Sequence, residues 1–159
     1  MTEIFGYSGK ILYVNLTDNR IREKALNENL VIKFLGGRGL GAKLLWDEVK
    51  ADVDPLSPKN VLVFTTGPLT GTGVVSSSKF ILTFKSPLTG IYAYSQAGGW
   101  FGVRLKEIGY DALVIKGSSE YPVYLCISDK EINIERADNL WGLGNFEVIG
   151  KLRRKHGKD

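Results

Sequence analysis

Apolar and polar residues alternate through Lys10-Ile11-Leu12-Tyr13-Val14-Asn15-Leu16, the signature of a half-buried strand. Thr17-Asp18-Asn19 supplies turn chemistry, and Arg20-Ile21-Arg22-Glu23 is expected to return as a partner strand. Asn27-Glu28-Asn29 stands before Leu30, Val31, Phe34 and Leu35, a short helical pattern ended by Gly36-Gly37. Leu40, Leu44, Leu45 and Val49 form a second helical stripe, closed by Pro55 and Pro58. Val61 to Phe64 reads as a buried strand. Lys79 to Phe84 and Ile91 to Tyr94 read as two more, split by Ser86-Pro87-Leu88-Thr89-Gly90. A helix is expected over about Trp100 to Ile108, stopping at Gly109, with a strand over Ala112 to Ile115. Val123 to Ile127 and Glu131 to Ile134 flank the turn Ser128-Asp129-Lys130 as a hairpin. Asn145 is expected to cap a last helix with Phe146, Ile149 and Leu152 on one face.

Strands that follow one another directly, with few helices between them, favour an α+β fold with mainly antiparallel sheet. The chain also resembles itself. Gly37-Arg38-Gly39-Leu40-Gly41-Ala42-Lys43-Leu44 aligns with Gly98-Gly99-Trp100-Phe101-Gly102-Val103-Arg104-Leu105, and Pro68-Leu69-Thr70-Gly71 recurs as Pro87-Leu88-Thr89-Gly90. A duplicated sheet-rich domain with a pseudo-twofold repeat, roughly 8–66 and 67–135, is the expected architecture, with residues 1–159 as one domain.

Composition changes this picture mainly by exclusion. The 159 residues contain one cysteine, Cys126, and one histidine, His156. That excludes a disulfide framework, a zinc site of Cys/His type and a self-contained iron–sulfur cluster. Cys126 lies in a predicted strand and is expected in the core. No apolar run approaches the ~20 residues of a membrane span. The start, Met1 to Gly6, lacks the basic and apolar regions of a signal peptide, so a cytoplasmic location is expected. The net charge of +4 resides in Lys151 to Asp159, where five cations face one carboxylate. A nucleic-acid footprint needs a basic stripe across the fold, and none is present. Cations in a last helical turn instead complement the helix dipole.

Three segments carry candidate chemistry. Gly37-x-Gly39-x-x-Ala42 matches a dinucleotide fingerprint, but a helix rather than a strand precedes it, and the following strand leads to no acid. Gly71-Thr72-Gly73-Val74-Val75-Ser76-Ser77-Ser78-Lys79 is a small-residue loop ending in a cation, suited to close approach by an anionic ligand or simply to a flexible surface. Ser95-Gln96-Ala97-Gly98-Gly99-Trp100-Phe101-Gly102 sets an amide and free backbone N–H groups at a strand-to-helix junction. The plainer reading of that junction is a tight turn with Trp100 and Phe101 in the core. No Ser/His/Asp set can be assembled.

Leu35-Gly36-Gly37-Arg38-Gly39-Leu40, Gly67-Pro68-Leu69-Thr70-Gly71-Thr72, Lys85-Ser86-Pro87-Leu88-Thr89-Gly90, Gly98-Gly99-x-Phe101-Gly102 and Gly109-Tyr110-Asp111-Ala112 occur in this order. With the opening Gly6-Tyr7-Ser8-Gly9-Lys10, they resemble the N-terminal domain of the aldehyde:ferredoxin oxidoreductase family, tungsten enzymes of anaerobic archaea and bacteria. The resemblance covers essentially the whole chain.

The resemblance implies an oxidoreductase, about four times longer than this chain, that converts aldehydes to carboxylic acids and passes electrons to ferredoxin. Its cofactor is tungsten (molybdenum in some relatives) held by two pyranopterins, with a magnesium ion bridging their phosphates and a [4Fe–4S] cluster nearby. The cluster cysteines belong to later domains. The expected cofactor-binding residues are Ser78, Lys79, Gln96, Ala97, Gly98 and Gly99. Lys79 stands where the family has an Arg, which keeps the charge and loses the bidentate fork. Gln96 stands where the family has an Asn, one methylene shorter. The expected partners are the remainder of the enzyme chain, ferredoxin, an aldehyde and a second copy in a homo-oligomer. The chain is expected to be inactive alone, as a domain-only piece. The other reading is a stand-alone module that binds a phosphorylated small molecule or pterin.

Overall fold

A computed structural model describes residues 5–157. Met1 to Ile4, and with them most of the segment read for a signal peptide, lie outside the described residues, as do Lys158 and Asp159 of the basic tail. The chain divides into two compact units, Met1–Ser118 and Ser119–Asp159.

In the first unit the strands are β1 (Lys10–Asn15), β2 (Arg20–Ala25), β3 (Val61–Thr66), β4 (Phe80–Lys85), β5 (Tyr92–Ala97) and β6 (Ala112–Lys116), and the helices are α1 (Glu28–Phe34), α2 (Gly37–Glu48) and α3 (Trp100–Glu107). The sheet order is β2-β1-β6-β3-β4-β5. Only β1 and β6 pair in parallel there; every other neighbouring pair is antiparallel. The α+β class with mainly antiparallel sheet follows directly from this pairing.

Both faces of the central strands are covered, which is why β1 buries Ile11, Leu12 and Val14 rather than alternating cleanly. On one face Leu40, Leu44 and Leu45 of α2 pack with Ile11, Val61, Val63, Ala112 and Val114. Burying each of these Leu, Ile and Val side chains contributes ~1.5–3 kcal/mol. Gly41 permits this contact to be close: a Cβ there would fall 2.5 Å from Thr83 Oγ1. On the other face the rings of Phe80 and Phe101 lie 4.7 Å apart between centroids, and Phe64 stands 5.4 Å from Phe101. Phe101 nevertheless remains 40% exposed and Trp100 71%, so the reading that places both in a core is corrected. Phe101 is the second residue of α3, and only part of its ring lies against Phe64 and Phe80 of the sheet.

The strand order reads the same when β1, β2 and β3 exchange with β4, β5 and β6. The pairing sense differs, since β1 joins β6 in parallel whereas β4 joins β3 antiparallel. Residues 119–135 of the expected second copy fall in the second unit.

The second unit holds β7 (Val123–Ile127) and β8 (Ile132–Arg136), an antiparallel hairpin, and α4 (Asn145–His156). Gly144, not Asn145, is the N-cap of α4. The Glu147 carboxylate accepts a hydrogen bond from the Gly144 amide at 3.3 Å, and that return contact takes over the role expected of an Asn145 side chain.

Candidate functional site

Register decides where the glycine- and serine-rich segments meet. Thr66 pairs with Phe80, and Phe80 with Ala97. The end of β3, the start of β4 and the end of β5 therefore lie in one row across the sheet. The chain leaving or entering at that row is Gly67 to Lys79 and Gly98-Gly99. Gly36, before α2, reaches the same end, because a Cβ on it would lie 2.5 Å from the Thr66 carbonyl oxygen.

Two helices thus begin at this rim. The N-caps are Gly36 for α2 and Gly99 for α3, neither offers a side-chain cap, and neither first turn contains an acid. First-turn N–H groups without a capping side chain are donors left for solvent or a ligand. The rim segments 67–80 and 96–100 contain no Asp or Glu. Gly99, at φ +100, adopts a conformation that favours glycine, and a Cβ on Gly98 or Gly99 would meet nothing within 4 Å.

The six expected residues divide between two faces. A cleft of about 510 Å³ is lined by Gly71, Gly73, Ser76, Ser78 and Gly99 on one side and by Trp100 and Glu107 of α3 on the other. Ser78 and Gly99 thus share one concavity. Gln96 pairs with Ile81, whose Cγ1 would touch a Cβ placed on Gly37 of α2 at 3.5 Å, so Gln96 belongs to the α2 face. Ala97 pairs with Phe80 and belongs to the α3 face. Exposed Lys79 sits at the corner immediately before β4, where its carbonyl accepts from Thr70 Oγ1 at 3.4 Å.

Arg38 and Tyr94 join the α2 side of this rim. Arg38 Nη1 donates to the Tyr94 hydroxyl at 2.9 Å, and the guanidinium carbon lies 5.1 Å from the ring centroid. Both side chains are exposed. Arg38 lay inside the Gly37-x-Gly39 string, so the signal for a helix start with a cation was present; its partner 56 residues away was not visible. The glycines of that string are explained by packing. A Cβ on Gly39 would lie 2.5 Å from the Phe34 carbonyl oxygen, and α1, not a strand, precedes α2.

Cys126, expected in a core, is half-buried on β7, with Sγ 3.9 Å from His156 Nδ1. The hairpin is only two strands wide, which leaves its face partly open to solvent.

The family model described as aldehyde ferredoxin oxidoreductase, N-terminal domain, matches residues 11–159. The chain is 48% identical over 154 residues to a tungsten-containing aldehyde ferredoxin oxidoreductase of Pyrococcus abyssi, a match covering 97% of this chain and 25% of that protein. It is 45% identical to the protein of the same description from Pyrococcus horikoshii, with the same coverage. The chain therefore spans about a quarter of the length of these relatives. Among solved structures, it superposes on the active-site complex BamBC of benzoyl coenzyme A reductase in complex with 1,5-dienoyl-CoA. The TM-score is 0.92 at 35% identity, covering 95% of this chain and 23% of that one. Among the described residues, no helix is long and apolar enough to cross a membrane.

Proposed function

Since the chain belongs to the aldehyde ferredoxin oxidoreductase family through its N-terminal domain, we propose that it forms one wall of the seat for a tungsten–bis-pyranopterin cofactor within a larger oxidoreductase. The observation that carries this reading is the convergence of two uncapped helix starts, an acid-free glycine–serine loop and Lys79 at one end of one sheet. Two relatives with different stated chemistry, an aldehyde oxidoreductase and a benzoyl coenzyme A reductase complex, share this domain. A common domain beneath different substrates supports a role in holding a common group rather than in choosing the substrate.

The residues fit a phosphate-bearing, flat ligand. N–H donors at the start of α3 and the Lys79 ammonium meet phosphate oxygens. Gln96, on the α2 face of the rim, would offer an amide to the phosphate groups or their magnesium ion on that side. Gly98 and Gly99, with open space where a Cβ would stand, let a ring system approach the backbone. Ser78 and Ala97 flank these contacts with small side chains. When bound, the cofactor supplies the two-electron oxidation, here of an aldehyde to a carboxylic acid, with ferredoxin as acceptor. A [4Fe–4S] cluster that relays those electrons needs four thiolates, and this chain contributes one cysteine at most, so its ligands belong to other parts of the enzyme. This domain by itself is inactive in the proposal.

The test is tungsten and pterin content per chain in the full-length enzyme carrying Lys79→Ala or Gln96→Ala. Both variants are expected to hold less of each than the parent. Unchanged tungsten and pterin in both overturns the assignment.

A further inference from the structure

We propose that Cys126, Glu135 and His156 form a binding site for one borderline divalent cation of the zinc class, independent of the cofactor seat. Counting cysteines and histidines along the sequence excluded such a site, because that count leaves out a carboxylate brought in by strand pairing. Tyr124 pairs with Glu135 across the hairpin, so Cys126, two residues on, shares a face with Glu135. The last turn of α4 brings His156 to that face, with Nδ1 3.9 Å from Cys126 Sγ. One ligand atom from each of the three side chains lies within 4.8 Å of the others. Tetrahedral zinc with bonds of ~2.0–2.3 Å sets its ligand atoms about 3.5 Å apart, so a contraction of roughly an ångström closes the site, with water as the fourth ligand.

The hydrogen bonds around the cluster leave the correct nitrogen bare. The Tyr124 hydroxyl donates to Glu135, and its oxygen lies 2.8 Å from His156 Nε2. Having given its proton to the carboxylate contact, that oxygen accepts from Nε2–H. Nδ1 then carries the lone pair and faces the sulfur. A ring nitrogen anchored in this way orients the other toward a metal. Sulfur, imidazole and carboxylate together suit zinc or cobalt and disfavour magnesium or calcium.

A cation already occupies part of this space. The Lys155 ammonium contacts Glu135 and donates to the Tyr124 hydroxyl at 2.8 Å. Its side chain is 57% exposed, so it can swing to solvent when a metal ion takes the carboxylate. The Glu135 carboxylate attracts a metal ion to the Cys126 thiol, which carries one proton. Coordination exchanges that one proton for the metal, and the proton leaves to solvent.

Cobalt(II) titration of the 159-residue chain provides the test, since a cobalt–thiolate bond gives a charge-transfer absorption. One equivalent of cobalt is expected to produce that band, and zinc to displace it. Cys126→Ser abolishes the band. His156→Ala and Glu135→Gln each weaken cobalt binding at least ~10-fold, by analogy with the loss of supporting metal contacts. Lys155→Ala tightens it, because the competing ammonium is gone. Circular dichroism matching the parent shows that each variant remains folded. The proposal fails if the parent gives no charge-transfer band. It also fails if His156→Ala and Glu135→Gln both bind cobalt as tightly as the parent, or if Lys155→Ala binds it more weakly.

Discussion

Lys106 Nζ lies 2.7 Å from an Asp111 carboxylate oxygen, with the two side chains 10% and 2% exposed. The same carboxylate accepts from the amides of Ser8 and Gly9 at 3.1 and 2.7 Å, and Lys106 also donates to the Gly6 carbonyl. Two strings that resemble the family, Gly6-Tyr7-Ser8-Gly9 and Gly109-Tyr110-Asp111, are therefore one structural clasp that ties the start of β1 to the turn before β6.

Removing one member of a buried, hydrogen-bonded pair leaves the other uncompensated. Asp111→Ala is expected to destabilise the first unit by ~3–5 kcal/mol in urea unfolding. A loss below ~1 kcal/mol contradicts the clasp.

Gly41 and Thr83 make a second, opposite case. A Cβ on Gly41 would lie 2.5 Å from Thr83 Oγ1, and that hydroxyl is buried without a hydrogen-bond partner among the described residues. Gly41→Ala is expected to cost ~1–3 kcal/mol through overpacking. Thr83→Val, which removes an unsatisfied polar atom, is expected to be neutral or stabilising by ~1 kcal/mol. Thermal unfolding of the two variants decides the matter, and a destabilised Thr83→Val shows that the hydroxyl has a partner.

Tyr110 and Tyr13 ionise late. Burial, then the hydrogen bond to Glu23, pushes the Tyr110 hydroxyl up to about 12; burial, then the charge of Glu48, does the same for Tyr13. A raised folded-state value stabilises the fold below the ordinary tyrosine value of 10.0, and that contribution is lost as pH climbs toward 12. Ultraviolet titration is expected to show a late tyrosinate step that shrinks in Tyr110→Phe and in Tyr13→Phe. A titration with no step above the ordinary range counts against both environments.

Packing and ligand roles separate at Gly98 and Gly99. Both face open space, but only Gly99 has positive φ, at +100. Gly99→Ala is expected to cost ~1–3 kcal/mol from backbone strain alone. Gly98→Ala is expected to keep the melting temperature and still lower tungsten content in the full-length enzyme, by placing a methyl group where the cofactor approaches. Equal tungsten content in parent and Gly98→Ala removes Gly98 from the proposed seat.

The elements were legible because each is written in a local period. Ile11, Leu12 and Val14 announce β1, and Leu40, Leu44 and Leu45 announce α2. The partners of the strands were not legible. Nothing in Ile11-Leu12-Tyr13 specifies a parallel neighbour in Ala112-Leu113-Val114, since an apolar strand is compatible with many others. The same limit applies at the rim. Small residues marked the loops after β3 and β5, but register alone assigns Gln96 to one face and Ala97 to the other. Arg38 acquires its contact with Tyr94 only when α2 is laid over β5's side of the sheet. Gathering Cys126, Glu135 and His156 likewise required a hairpin pairing and a helix end, neither of which leaves a spacing signature.

The parallel joint between β1 and β6 also bears on how the polypeptide is made. β1 finds β2 within a few residues of emerging from the ribosome, yet its inner neighbour is completed only at Lys116. Until then β1 and β3 each carry a bare inner edge, which invites pairing with other chains. Truncation products ending before Ala112 are therefore expected to aggregate, whereas synthesis through Lys116 closes both edges with a single strand.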